Sequence, residues 1–240
     1  METYRKDAER IAELGPLSRR LAETNWPGPL TIVAPLRAGS AIAPLVTAGL
    51  PTVALRVPAH PAMRALLESA ARPLAAPSAN ASGAISPTRA EHVLRTLGGR
   101  IALIVDAGPC PGGIESTIVG EAGGRLRLLR RGPIEIEGAE LANGDAIEAP
   151  GQLSSHYAPS KPLRLRARIA GDDEYLIGFG PVRGDVSLSA AGDLTEAAAK
   201  LFDLLHLADQ SAKPKIAVAP VPDTGLGAAI NDRLRRAAAG

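Results

Sequence analysis

The sequence predicts an α/β (α+β) fold: a domain built on a twisted, mixed β-sheet, followed by a second, smaller α/β domain. Short apolar runs alternate along the chain with segments whose apolar residues recur every three or four positions, which is the pattern of strands alternating with helices. Between the two halves, residues 138–162 are rich in Gly, Asn, Asp, Ser and Pro and show no periodicity, which is typical of a linker. We therefore expect domains at residues 1–137 and 163–240, joined by a linker at 138–162.

The first predicted domain begins with helical periodicity over residues 5–24, which Gly15-Pro16 divides into two short helices. Ser86-Pro-Thr88 predicts the start of a further helix, which ends at Gly98-Gly99. Apolar runs predict strands at residues 30–33, 52–57, 74–76, 101–105, 117–119 and 126–129, with Gly123-Gly124 as the hairpin turn between the last two.

The second predicted domain has four apolar runs and two amphipathic segments. The runs predict strands at residues 163–169, 175–179, 186–188 and 216–221. The amphipathic segments predict helices at residues 194–207 and 227–239.

Composition argues against several functional classes. The chain of 240 residues is 45% hydrophobic and 22% charged, so it can bury a core. No apolar run reaches roughly 18 residues and the amino terminus lacks a long apolar segment, so we expect neither a membrane span nor a secretory signal. A single cysteine, Cys110, excludes an intramolecular disulfide and a Cys-rich metal site, which favours a cytoplasmic location. A net charge of +2 with six aromatic residues offers little for stacking bases, so we expect at most a weak contact with RNA.

Common nucleotide-binding and hydrolase motifs are absent. The chain has no G-x-x-x-x-G-K-[ST], no G-x-S-x-G and no H-E-x-x-H sequence. Residues 76–83 instead place short hydroxyl and amide side chains at the end of a predicted strand, in front of the helix that starts near Ser86 and Thr88. Free N–H groups at such a helix start would attract an anion such as phosphate. An ordinary polar loop with helix caps explains these residues equally well.

Three further features have both a binding and a structural interpretation. Gly112-Gly113 followed by Ser116-Thr117 either lets the backbone approach a ligand closely or forms a turn that enters a strand. Arg56 and Arg130 lie within β-like runs and either hold a carboxylate or phosphate or face solvent. His156-Tyr157, in the predicted linker, either folds over a pocket as a lid or anchors the linker by packing.

In their order and spacing, these motifs resemble the Sua5/YrdC/YciO family, and within it the two-domain type. They are Trp26-Pro-Gly-Pro-Leu-Thr31, Arg56-Val-Pro-Ala-His60-Pro61, Ala76-Pro-Ser-Ala-Asn80-Ala-Ser-Gly83, Ser86-Pro-Thr88, Gly113-Ile-Glu-Ser-Thr117 and Leu129-Arg130-Arg-Gly132, then Pro150-Gly151, His156-Tyr-Ala-Pro159 and Gly225-Leu-Gly-Ala-Ala-Ile-Asn-Asp-Arg233. The similarity extends from about residue 10 to the end of the chain. It implies a YrdC-like first domain and a Sua5-type second domain.

The resemblance implies a nucleotidyltransferase that forms threonylcarbamoyl-AMP and pyrophosphate from L-threonine, bicarbonate and ATP, normally with Mg²⁺, for the t6A modification of tRNA. Carried over by motif, three residues would bind L-threonine: Arg56 (its carboxylate), Ser78 and Ser116. Five residues would contact ATP: Thr52, Asn80, Thr88, Arg130 and Tyr157. The resemblance assigns no catalytic side chain and no protein metal ligand, and it implies other proteins of the t6A pathway as partners.

The chain departs from the family's pattern at its amino end. Members begin with about 50–60 further residues, within the usual range of domain sizes, which carry a Pro-Thr-Glu-Thr-Val-Tyr-Gly-Leu-like strand and loop and a Lys-x-Arg-Pro-like motif. Residues 1–30 match neither motif. We therefore expect an amino-terminally truncated form of a family member. The alternative function is that of a catalytically impaired member that acts as a nucleotide-binding or RNA-binding module.

Overall fold

The first two helices form on either side of Gly15-Pro16, as the sequence predicts. In the computed structural model of the chain, α1 spans Glu2–Ile11 and α2 spans Pro16–Asn25, and Pro16 lies in the first turn, where its missing N–H costs no helical hydrogen bond. The structure describes residues 2–142 and 156–240. Part of the predicted linker therefore lies outside the described residues, and Pro150-Gly151 lies wholly outside them. Within those two ranges, no helix combines the length and the apolar character needed to cross a membrane.

Close packing divides the chain into two compact units. The first comprises Met1–Ala75 and Glu115–Gln152, and the second comprises Ala76–Ile114 and Leu153–Gly240. The segment 76–114 thus belongs to the same unit as the carboxyl-terminal residues. The functional domain boundaries at residues 137 and 163 stay predictions.

A mixed five-stranded sheet forms the first unit. Its strands are β1 (Leu30–Pro35), β2 (Thr52–Leu55), β3 (Thr117–Ala122), β4 (Arg125–Arg130) and β5 (Glu140–Leu141), and the helix α3 (Pro61–Ala70) follows β2. The strand order is β2-β1-β3-β4-β5. Strand β1 is antiparallel to β2 and parallel to β3, β3 is antiparallel to β4, and β4 is parallel to β5. This arrangement confirms the predicted mixed sheet.

Strand β1 is the centre of the first core. Leu30 and Ile32 are fully buried, and Trp26 packs in the same cluster. The indole Nε1 of Trp26 donates to the carbonyl of Leu30 (2.8 Å), which supplies the acceptor that a buried indole needs. All residues of β1 except the last are buried. This explains why the run is apolar throughout apart from Thr31.

The second unit contains a four-stranded, all-parallel sheet. Its strands are β6 (Leu163–Arg164), β7 (Glu174–Gly178), β8 (Val186–Ser187) and β9 (Lys215–Val218), in the order β6-β9-β7-β8. The helices of this unit are α4 (Ala90–Leu97), α5 (Leu194–Gln210) and α6 (Leu226–Ala237). Asp193 caps the amino end of α5, because its side chain accepts the N–H of Thr195 (2.7 Å). Phe202 and Leu205 of α5 are fully buried in the core of the unit.

Two of the predicted strands are wrong. Residues 101–105 are irregular and, apart from the half-buried Ile104, exposed, with Leu103 at 76% and Val105 at 63% exposure. Residues 74–76 are irregular as well. Apolar, β-branched composition favours a strand, but a strand forms only where a neighbour completes its hydrogen bonds. Neither segment has such a neighbour among the described residues. Pro73 and Pro77 bracket the second segment and donate no N–H.

Other differences concern short or exposed elements. The sequence did not predict α3 or β5. No residue of α3 is fully buried and β5 has two residues, so neither gives a strong periodic signal. The predicted strand at 163–169 is confined to Leu163–Arg164, because Arg166 has a left-handed conformation (φ 57°) that bends the chain out of the sheet.

Candidate active site

The topology of the first sheet brings three predicted residues to one edge. Arg56 directly follows β2, Ser116 directly precedes β3, and Arg130 ends β4. Because β2 is antiparallel to β1, β3 is parallel to β1 and β4 is antiparallel to β3, all three positions lie at the edge where β1 begins. Gly28 and Pro29, just before β1, form the middle of that edge. The carbonyl of Pro29 accepts the N–H of the first residue of β3 (3.0 Å).

Hydrogen bonds link Thr31, Ser116 and Arg130 at this edge. Thr31 Oγ1 and Ser116 Oγ lie 2.7 Å apart, and both residues are buried. The Nε of Arg130 donates to the carbonyl of Ser116 (3.1 Å), and its Nη2 donates to the Oγ of Ser116 (3.2 Å). The guanidinium is therefore held in one orientation beside a pair of hydroxyls. Such an arrangement can bind carboxylate or phosphate oxygens.

Gly132 lets the chain after β4 pass directly against the backbone of Ser116. An alanine Cβ at position 132 would lie 2.3 Å from the N of Thr117 and 2.6 Å from the carbonyl carbon of Ser116. The side chain of Thr117 stabilises this contact between the two segments, because its Oγ1 donates to the carbonyl of Ile134 (2.8 Å) and accepts the N–H of Ile134 (2.9 Å). The position of Ser116 thus depends on the glycine at 132.

The guanidinium of Arg56 is anchored through one of its three nitrogens. Its Nε donates to the carbonyl of Gly28 (3.0 Å), and the N–H of Gly28 donates to the carbonyl of Val57 (2.9 Å). Within the described part of the chain, its two terminal nitrogens have no acceptor. The loss of water around the guanidinium lowers the pKa of Arg56 from its ordinary value, but an arginine stays charged. An anchored cation with two parallel donors matches a carboxylate.

Thr52 does not share this edge. It begins β2 and pairs with Pro35, the last residue of β1. Its distance from Arg56 along the extended chain is about 13 Å, at roughly 3.3 Å per residue. The contact of Thr52 with ATP stays a prediction that this position does not support.

The second unit holds the other four predicted residues: Ser78, Asn80, Thr88 and Tyr157. Ser78 is exposed. The Nδ2 of Asn80 donates to the carbonyls of Ala81 (3.0 Å) and Ala84 (2.9 Å), which holds the loop around the amide. The Oδ1 of Asn80 is buried and accepts no hydrogen bond from the residues that the structure describes. A buried acceptor without a donor is unfavourable, and an N–H or O–H group of a ligand can satisfy it.

The ring of Tyr157 lies in the core of the second unit. Tyr157 is 1% exposed, and its ring stands edge-on to His156 (centroids 4.1 Å apart) and 5.4 Å from the ring of Phe202. The guanidinium of Arg233 lies 5.8 Å from the centroid of the tyrosine ring, within reach of a cation–π interaction. Tyr157 has a φ of 68°, which is rare for an aromatic residue. This geometry corresponds to the packing-anchor interpretation of His156-Tyr157.

A backbone contact brings the segment of Tyr157 to the loop of Asn80. The N–H of Ala158 donates to the carbonyl of Gly83 (2.9 Å), and Ala84 and Ala158 form a parallel β-bridge. Two of the residues predicted to contact ATP therefore lie on adjoining segments of the same unit. Their contacts with ATP stay predictions.

Two buried histidines stack next to Thr88. The rings of His92 in α4 and His206 in α5 lie 3.8 Å apart. The Nδ1 of His92 accepts the N–H of Thr88 (3.2 Å), and the Nε2 of His206 lies 3.2 Å from the carbonyl of Ser86. Burial lowers the pKa of both histidines, while Asp203 acts in the opposite direction on His92. Burial and the neighbouring His92 together lower the pKa of His206 to about 4, so this ring is neutral at pH 7.

We expect the chain to lose stability as the pH falls from about 6.5 to about 4. In the unfolded chain His206 has its ordinary pKa of 6.5, whereas in the folded chain its pKa is about 4, so the unfolded state binds more protons over this range. The stabilisation is complete above pH 6.5 and is lost as the pH falls toward 4. Over this range His206 accounts for a change of about 2–3 kcal/mol in the free energy of unfolding.

Urea unfolding of the purified chain at a series of pH values measures this dependence. His206→Gln keeps a donor near Ser86 and removes the titrating ring, so we expect a flatter pH dependence. His60→Gln, at an exposed histidine of the first unit, is the matched control and should behave like the unsubstituted chain. An unaltered pH dependence in His206→Gln would contradict the assignment.

An α/β fold whose sheet edge carries anchored guanidiniums beside buried hydroxyls is typical of a protein that binds small anionic substrates. The model of the Sua5/YciO/YrdC family, described as telomere recombination, matches residues 2–132, and the model described as threonylcarbamoyl-AMP synthase, C-terminal domain, matches residues 116–239. The chain is 38% identical to threonylcarbamoyl-AMP synthase of Bacillus subtilis, over 93% of this chain and 73% of that one. It is 34% identical to threonylcarbamoyl-AMP synthase of Pyrococcus abyssi, over 99% and 76%. The chain belongs to the Sua5/YrdC/YciO family.

Two solved structures of the Pyrococcus abyssi relative have the same fold. The crystal structure of P. abyssi Sua5 complexed with L-threonine has a TM-score of 0.86 and 32% identity, over 97% of this chain and 77% of that one. A variant of that protein in which a histidine and the following tyrosine are both alanine has a TM-score of 0.84 and 30% identity, over 97% and 76%. In the present sequence, His156 is the histidine that a tyrosine follows. The resemblance drawn from the motifs is confirmed.

Sequence reasoning missed Thr31 as a member of the site. Its hydroxyl is the partner of Ser116, although the sequence placed Thr31 only in a family motif and a predicted strand and indicated no contact with a substrate. A signal was available, since Thr31 is the polar residue in a run that is otherwise apolar. A strand buried on both faces accommodates a hydroxyl only where it has a hydrogen-bond partner.

Proposed function

We propose that this chain is a threonylcarbamoyl-AMP synthase, which joins L-threonine, bicarbonate and ATP into threonylcarbamoyl-AMP and pyrophosphate. The observation that carries the proposal is the edge where β1 begins, with Arg56 on one side and the linked Thr31, Ser116 and Arg130 on the other. Membership of the family supports it, as does the L-threonine complex of the relative from P. abyssi.

The geometry of this edge supports a proposed role for each of its side chains. Arg56 receives the carboxylate of L-threonine on its two terminal nitrogens, because its Nε is committed to Gly28. Ser116, with Thr31 as its hydrogen-bond partner, offers a hydroxyl to the polar groups of the same substrate. Arg130, anchored on Ser116, faces the phosphates of ATP.

The reaction needs charge stabilisation more than a nucleophilic side chain. The amine of L-threonine adds to bicarbonate and, with loss of water, gives a carbamate. A carbamate oxygen then attacks the α-phosphorus of ATP, and the bond to the bridging oxygen breaks, so that pyrophosphate leaves with the bonding electrons. Fixed cationic donors stabilise the negative charge that grows on the leaving group. This accounts for a site in which no covalent intermediate on the protein is required.

Mg²⁺ is proposed to enter with ATP. In the ranges 2–142 and 156–240, no group of three or more His, Cys, Asp and Glu side chains converges as a metal site. Mg²⁺ at nucleotide sites is often held mainly by substrate phosphates and water, so the chemistry of this site fits a metal carried by the substrate. The proposed setting is the cytoplasm, where the product serves other proteins of the t6A pathway.

Release of pyrophosphate from ATP by the purified chain tests the proposed function. We expect release only when L-threonine and bicarbonate are both present, and a return to background when either is left out. A nucleotide-binding or RNA-binding module would instead release no pyrophosphate and would bind RNA with an affinity that falls steeply with salt. Release that does not depend on L-threonine would also contradict the proposal.

Arg130→Lys tests the role of the guanidinium within the same assay. Lysine keeps the charge but lacks the rigid, planar set of donors that holds Arg130 on two atoms of Ser116 and leaves other N–H groups for a phosphate. We therefore expect kcat/KM for ATP to fall about ten- to a hundredfold, the value of a charged hydrogen bond. Arg125→Lys is the matched control. Arg125 begins the same strand, is exposed, and pairs with Glu140 (3.3 Å), so its substitution should leave kcat/KM unchanged.

A further inference from the structure

A small cavity lies at the carboxyl edge of the parallel sheet in the second unit. It encloses about 160 Å³ and is lined by residues that directly follow two neighbouring parallel strands, β6 and β9, together with residues of α6. Ligands of parallel α/β sheets bind outside the carboxyl ends of the strands. The volume is well below the roughly 300 Å³ at which pockets for drug-sized ligands begin. A ligand of this cavity is therefore small.

Three charged residues line the cavity at its solvent-exposed side: Arg166, Asp223 and Arg235. Neither arginine makes a hydrogen bond or ion pair with any other described residue. Asp223 accepts one hydrogen bond, from the Nδ2 of Asn231 (3.3 Å). The lining thus includes two guanidiniums without acceptors among the described residues and one carboxylate that keeps further acceptor capacity.

The backbone around the cavity is held in unusual conformations. Arg166 has a φ of 57°, which is uncommon for a residue with a side chain, and Gly225 combines a φ of 52° with a ψ of −132°. An alanine Cβ at Gly227 would lie 2.0 Å from the carbonyl oxygen of Pro222. The Nδ2 of Asn231 donates to the carbonyl of Val221 (3.0 Å). The wall formed by residues 219–227 is thus fixed by α6 before any ligand arrives.

The remaining lining is largely apolar and includes Leu165, Val221 and Leu234. An inorganic phosphate would leave these apolar walls unused and would bring its charge near the carboxylate of Asp223, which is unfavourable. A molecule with a carboxylate, an ammonium group and a short apolar body offers a partner to the guanidiniums, to the carboxylate and to the apolar residues of the lining. That combination is an aliphatic α-amino acid.

We propose that this cavity binds a small aliphatic α-amino acid, with its carboxylate on Arg166 and Arg235, its ammonium group on Asp223 and its side chain against Leu165 and Leu234. The site does not rest on the proposed function, because all of its lining residues belong to the carboxyl-terminal part of the second unit. It is a second amino-acid site, distinct from the L-threonine site proposed at Arg56.

Binding of L-valine to the full chain, followed by isothermal titration calorimetry, tests the site. We expect L-valine to bind, and the double variant Arg166→Gln, Arg235→Gln to lower its affinity at least about tenfold. Arg183→Gln, an exposed arginine of the same unit outside the cavity, is the matched control and should bind as before. Arg56→Ala should also bind L-valine as before, which separates this site from the proposed L-threonine site.

Asp223→Asn distinguishes the loss of the carboxylate charge from a general change in folding, because the two would affect different ligands. The amide keeps an acceptor for Asn231 but loses the charge that attracts ammonium. We expect weaker binding of L-valine and unchanged or tighter binding of isovalerate, which has the same body without the amine. Absence of L-valine binding, equal binding by the double variant, or parallel loss of both ligands in Asp223→Asn would overturn the proposal. So would phosphate binding that the double variant abolishes and L-valine does not compete with.

Discussion

Arg56→Ala is expected to raise the L-threonine concentration needed for half-maximal pyrophosphate release by about ten- to a hundredfold, with a small effect on the requirement for ATP. The lost interaction is a charged, two-point hydrogen bond to the substrate carboxylate, worth about 1.5–3 kcal/mol. Because Nε of Arg56 is held by the carbonyl of Gly28, the guanidinium is oriented before the substrate arrives. Steady-state rates measured against L-threonine and against ATP separate the two effects.

Arg37→Ala is the matched control for Arg56→Ala. Its Nε likewise donates to a backbone carbonyl, that of Glu9 (3.0 Å), but Arg37 lies beyond the opposite end of β1. The same number of atoms and the same charge are removed, so any general effect on folding or net charge appears in both variants. If the two variants raise the L-threonine requirement equally, Arg56 does not bind the substrate carboxylate.

Gly132→Ala is expected to destabilise the first unit. The added Cβ would lie 2.3 Å from the N of Thr117, so the backbone of β3 or of the following loop must move. Overpacking of this kind costs about 1–3 kcal/mol, which lowers the melting temperature by roughly 2–12 °C in a chain of this size. Since the same movement displaces Ser116, we also expect the L-threonine requirement to rise in the fraction that remains folded.

Gly120→Ala is the matched control for Gly132→Ala. It shows whether a loss of stability comes from the close backbone contact at position 132 or from replacing any glycine in this unit. Gly120 lies in β3, and an alanine Cβ there would meet Leu129 Cδ1 at 3.5 Å and the carbonyl oxygen of Val33 at 3.7 Å, which are ordinary contacts. We expect this variant to melt close to the unsubstituted chain. Thermal unfolding and pyrophosphate release are measured on both variants, and a Gly132→Ala variant as stable as Gly120→Ala would exclude the close approach.

Much of the site could be inferred from the sequence because its chemistry is local. Arg56 and Arg130 stand out as charges in apolar runs, and the hydroxyl at Ser116 follows a glycine pair. Family motifs gave these residues their proposed roles. That Arg56, Ser116 and Arg130 share one edge depends on which strands are parallel and which are antiparallel. No local pattern specifies those pairings.

The position of the Tyr157 ring could not be inferred from the local sequence either. The dipeptide His156-Tyr157 fits a lid and a packing anchor equally well as a sequence. Its surroundings, the ring of Phe202 and the guanidinium of Arg233, come from positions far away in the chain. Their approach decides where the ring lies, and only the folded chain defines it.

The sequence alone determined the family, the alternation of helices and strands, and most of the residues proposed to meet the substrates, because these depend on residue type and spacing. Only the tertiary structure decided that residues 101–105 are not a strand, that Thr31 partners Ser116, and that Arg166, Asp223 and Arg235 line one cavity beside β6 and β9. Each of these depends on whether a remote segment of the chain supplies a partner. A hydrogen bond or an ion pair needs two groups. The local sequence around one group identifies that group, but it does not identify the remote partner.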